Sequence, residues 1–73
     1  MADYNLTADE KISVIVTHLR NLSYTKYNLE MSLLEENALA TPSVEVINQL
    51  NSQIESANAK AAALVAEMQS LQQ

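Results

Sequence analysis

Ile47, Leu50, Ile54, Ala57, Ala61, Leu64, Met68 and Leu71 follow one another at alternating steps of three and four residues. An unbroken heptad seam of this kind turns one stripe of a helix toward a partner helix. The partner lies upstream. Ile12, Ile15, Leu19, Leu22, Lys26, Leu29 and Leu33 step in the same way, with Val16 beside them.

Two seams need a corner between them, and the chain offers one. Glycine is absent and Pro42 is the only proline. Hairpin turns and phosphate-cradling loops lean on glycine for positive φ angles, so a chain without it makes helix and few corners. Between Ala8 and Leu39 no residue is a strong helix breaker. Thr7-Ala8-Asp9-Glu10 has the form of a capping box, and Asp9 and Glu10 suit the positive end of a helix dipole. The first helix is therefore expected over residues 8–39, after an N-terminal arm at 1–7 in which Tyr4 and Leu6 either fray or pack on a neighbour. Pro42 disfavours the α region at Thr41 and fits the first position of a new helix. The turn is thus placed at 40–42, with Thr41 as cap, Glu45 in the first turn, and the second helix over 42–72.

So short a corner returns the chain antiparallel. Pairing the seams about it sets Leu33 against Ile47, Leu29 against Leu50, and Lys26 against Ile54. Leu22 and Leu19 then face Ala57 and Ala61, large against small, so the helices can approach closely at that level. The expected fold is all-α: an antiparallel two-helix hairpin of coiled-coil type.

A hairpin of 73 residues is a marginal object by itself. Chains below about 80 residues need disulfides, a metal or oligomerisation to support a lone core. No cysteine is present, so disulfides and thiolate ligands are excluded and either redox compartment is open. The 48% apolar content argues against disorder. A further row, Tyr24, Tyr27, Met31, Leu34 and Ala38, runs along the first helix roughly 120° from its seam. A hairpin alone leaves this row in water, unless the long side chains lie along the hairpin groove. Exposed rows of this size mark interaction surfaces. The hairpin is accordingly expected to be completed by oligomerisation or by docking into a larger assembly.

Lys26 and Glu30 interrupt the apolar stripe one turn apart. Polar groups at seam positions can specify register and oligomeric state. The pair reads either as such a specificity device, with Gln53 or Glu55 completing it, or as two long stems whose heads reach water. The flanks of the second seam carry Gln53, Lys60 and Glu67 on one side and Asn51, Asn58, Val65 and Gln72 on the other. So little charge leaves partner choice to shape and amide hydrogen bonds.

Little in the chain points to chemistry. His18 is the only histidine, at the margin of the seam and two turns from the nearest acidic residues, and is expected to face solvent. No serine has a histidine and a carboxylate placed for a triad, and adjacent Glu35 and Glu36 project about 100° apart on a helix. Neither seam carries the Glu-x-x-His of a bundle metal site. No catalytic, cofactor or metal site is expected. The net charge of −5 and the scattered Lys11, Arg20, Lys26 and Lys60 disfavour nucleic acid and anionic membrane. The acidic cluster at the bend, Glu30, Glu35, Glu36 and Glu45, reads as a solvated face. No apolar run approaches the roughly 18 residues of a membrane span, and the opening MADYNLTADE is not a signal peptide.

The function expected is that of a structural or assembly subunit whose partner is protein, either itself or a larger complex. The alternative is an adaptor, chaperone or inhibitor that covers another protein's groove. In its compact, glycine-free, asparagine- and glutamine-rich composition the chain resembles small accessory proteins of tailed bacteriophages, such as virion decoration pieces and fibre-assembly chaperones. That resemblance implies a soluble component of a virion or of tail assembly.

Overall fold

The computed structural model describes residues 5–73, so Tyr4 and most of the expected N-terminal arm lie outside the described residues. Two helices account for nearly all of them: α1, Ala8–Asn37, and α2, Val44–Leu71. They pack against each other as a hairpin. The molecule is a rod of 60 × 21 × 18 Å with a radius of gyration of 17.1 Å. A compact domain of this length would have a radius of about 11 Å. The helices supply roughly 45 Å of its length, at 1.5 Å for each of about 30 residues.

α1 begins where its local sequence dictates. The Glu10 N–H donates to Thr7 Oγ1 at 3.1 Å, and the Thr7 N–H donates to Glu10 Oε1 at 2.8 Å. Both bonds of the capping box are therefore made, and two otherwise orphaned donors are satisfied. The helix stops at Asn37, two residues short of the expected end. Ala38 caps it in the right-handed region (φ −78°, ψ −12°), its N–H shared between the carbonyls of Leu34 at 3.0 Å and Glu35 at 3.2 Å.

The corner differs most from expectation. It takes residues 38–43 rather than 40–42, and Ser43, not Thr41, caps α2. Pro42 stands outside the helix instead of opening it. The physical reason lies in the missing glycine. Helices commonly close with a left-handed residue that reverses the chain quickly, and no described residue has positive φ. Reversal has to be made from right-handed and extended residues, and that takes more of them. Ser43 is extended (φ −84°, ψ 116°), and its Oγ accepts from the Val46 N–H at 3.3 Å.

A second bond ties the corner. The Ser43 N–H donates to Glu36 Oε2 at 2.8 Å. In a capping box this N–H is bound by a Glu or Gln three residues into the helix. Here that position is Val46, which has no acceptor. Glu36, from the last turn of α1, supplies the carboxylate across the corner. It is half-buried, so it is not part of a wholly solvated acidic face.

Burial in α2 follows the seam alone. Ile47, Leu50, Ile54, Ala57, Ala61, Leu64, Met68 and Leu71 are buried or half-buried, and every other residue of the helix is exposed. On α1 the seam residues Ile12, Ile15, Leu19, Leu22, Lys26, Leu29 and Leu33 are likewise covered, joined by Glu30, Met31, Ser32 and Glu36 toward the corner. Yet the cover is thin. Among the described residues only Ile15 and Ala57 are buried hydrophobics, at 7% and 6% exposure, and no side chain is completely enclosed.

Candidate protein-binding face

The tyrosine row lies on α1 away from the seam. Tyr24, Tyr27 and Leu34 are 63%, 61% and 62% exposed. Ala38 is exposed just past the helix end, and Met31, nearer the corner, is half-buried. The rings therefore do not lie along the hairpin groove, as snorkelling would have placed them. Tyr24 and Tyr27, one turn apart, flank a shallow depression with Ser23 and Arg20. Its lining comes from α1 alone.

Ser23 also lines a second depression, in which Leu19, Leu22 and Lys26 of α1 meet Ala57, Asn58 and Ala61 of α2. This is the level at which large residues oppose small ones, and the structure brings those four apolar residues together. Because Ser23 belongs to both depressions, the tyrosine row is continuous with one flank of the seam. On the other flank Leu22, Leu29 and Ala57 are bordered by Thr25, Gln53, Ser56 and Lys60. The hairpin thus has one flank that continues into exposed aromatic surface and one that does not. A further hollow is made by α2 alone from Glu45, Asn48, Gln49, Ser52 and Gln53.

Lys26 and Glu30 are both half-buried, and neither has an ion-pair partner among the described residues. Lys26 shares its groove with Ser23 and Asn58. Gln53 borders the opposite flank, and Glu55 is exposed.

Two residues of this face are not visible in apolar spacing alone. Arg20 stands four residues before Tyr24, in step with the row, but its charge sets it apart from an apolar pattern. Ser23 is small, and its role is the notch it leaves between two larger neighbours. His18 is exposed, and no three His, Cys, Asp or Glu side chains among the described residues could hold a metal ion. Among the described residues no helix is long and apolar enough to cross a membrane.

No protein-family model matches the chain, and comparison with curated proteins and with solved structures finds no significant match.

Proposed function

We propose that the chain is a non-enzymatic structural subunit, a helical hairpin that becomes stable when its tyrosine face is covered within a protein complex. One observation carries this reading. Two helices of about 30 residues bury only Ile15 and Ala57, while Tyr24, Tyr27 and Leu34 stand more than three-fifths exposed. A compact monomer of 8.1 kDa would expose about 4,500 Å². The 5680 Å² observed is roughly a quarter more. The excess is the surface of an elongated hairpin, and the exposed tyrosine face is part of it.

The side chains available for chemistry agree with a structural role: no cysteine, a single histidine, and no glycine for a strained catalytic turn. The resemblance in composition to accessory proteins of tailed bacteriophages makes virion or tail assembly the first setting to search for the complex.

The test removes the face and leaves the seam. In a Tyr27→Ser, Met31→Ser variant, association should be lost and the thermal midpoint of the parent chain should fall with it. Both are read by sedimentation and circular dichroism over a range of concentrations. A parent chain that is fully helical and monomeric at high dilution, with a midpoint indifferent to these changes, would refute the role.

A further inference from the structure

We propose that the tyrosine row is the contact between two copies of this chain, with their α1 helices antiparallel across a twofold axis. The inference rests on the assembly role above and names the partner.

The step pattern comes first. Arg20, Tyr24, Tyr27, Met31, Leu34 and Ala38 alternate by four and three, a second seam that runs along α1 to its C-cap. Antiparallel seams meet in layers, each residue opposite one of the other phase. Centred between Tyr27 and Met31, the layers are Tyr24 on Leu34 of the second copy, Tyr27 on Met31, and Arg20 on Ala38. The twofold axis repeats each layer, as a self-complementary interface requires.

Charge decides the direction. The C-terminal turn of α1 carries Glu35 and Glu36 and no basic residue, at the negative end of the helix dipole. Glu36 is engaged with the Ser43 N–H, while Glu35 is exposed. Antiparallel pairing lays the exposed Arg20 of each copy over the other's Ala38, one turn from its Glu35 and at the negative end of its helix dipole. Parallel pairing would set Arg20 on Arg20 and bring the two acidic C-terminal turns together. The cation that this helix end lacks is the one a second copy brings.

Area agrees. With aromatic side chains contributing about 150 Å² each, the row offers on the order of 600 Å² per copy. Two copies would close about 1,200 Å², the lower bound of a stable interface. The continuous flank through Ser23 to Leu19, Ala57 and Ala61 leaves room for the contact to widen onto the seam.

Sedimentation equilibrium of the full chain, from nanomolar to high micromolar, is the experiment, made with Arg20→Glu, Glu35→Arg and the double exchange. The expected result is a dimer whose dissociation constant rises about tenfold or more in each single variant and recovers in the double. Association that ignores Arg20→Glu, or a double exchange that fails to recover, overturns the antiparallel contact. So does an odd-numbered assembly. A chain that stays monomeric and weakly helical overturns the self-contact but leaves the assembly role standing. A monomer that is stably folded overturns both.

Discussion

Replacing Glu36 by alanine separates the corner from everything else in the molecule. Its carboxylate makes one bond that the structure records, to the Ser43 N–H at 2.8 Å, and that bond is partly buried. Hydrogen bonds to charged groups contribute about 1.5–3 kcal/mol, and partial solvent access places this one at the low end. The charge also lies at the positive end of α2, worth roughly 0.5 kcal/mol, and at the negative end of α1, where it costs a similar amount. The two dipole terms nearly cancel, so the loss is that of the bond, about 1.5 kcal/mol. For a domain of this size that corresponds to a fall of roughly 6–12 °C in Tm. Glu36→Gln keeps an acceptor without the charge and should lose about half as much. Glu55→Ala is the control: it is exposed on α2, away from both the corner and the tyrosine row, and has no recorded bond. Thermal melts followed by circular dichroism, all at one protein concentration, make the comparison. If Glu36→Ala and Glu55→Ala melt together, the bond across the corner contributes nothing and the account of α2 capping is wrong.

Lys26→Leu should stabilise the hairpin by about 1–2 kcal/mol by burying apolar surface beside Leu22 and Ala61, or shift the stoichiometry seen by sedimentation. A variant unchanged in both would show that Lys26 has no part in specification. Ile15→Ala removes one of the two buried hydrophobics and should cost about 2–3 kcal/mol in urea unfolding, the low end for a core isoleucine because the seam is narrow. Val14→Ala, next door but 49% exposed, should cost less than about 0.5 kcal/mol, and equal losses would mean that the seam is not what holds the helices together.

Much of this architecture is local and therefore legible in the residues. Thr7 and Glu10 close their capping box within four residues, so no distant contact is needed to start α1. The seam of α2 can be read from spacing because a helix converts steps of three and four directly into one covered stripe. The tyrosine row follows from the same arithmetic.

The corner was not legible. Thr41 and Ser43 are both acceptable caps, and Pro42 is acceptable just inside or just outside a helix, so local preference left the start of α2 open. Glu36 broke the tie from seven residues away, through a bond that exists only once both helices are laid side by side. The asymmetry of the two flanks has the same origin: Ser23, Lys26 and Asn58 come to one side of Ala57 and Thr25, Gln53 and Lys60 to the other only when α2 is docked on α1. Periodicity assigns a residue to a stripe of its own helix. Which stripes become neighbours, and which polar atoms then find each other, depends on how one rod lies against the other.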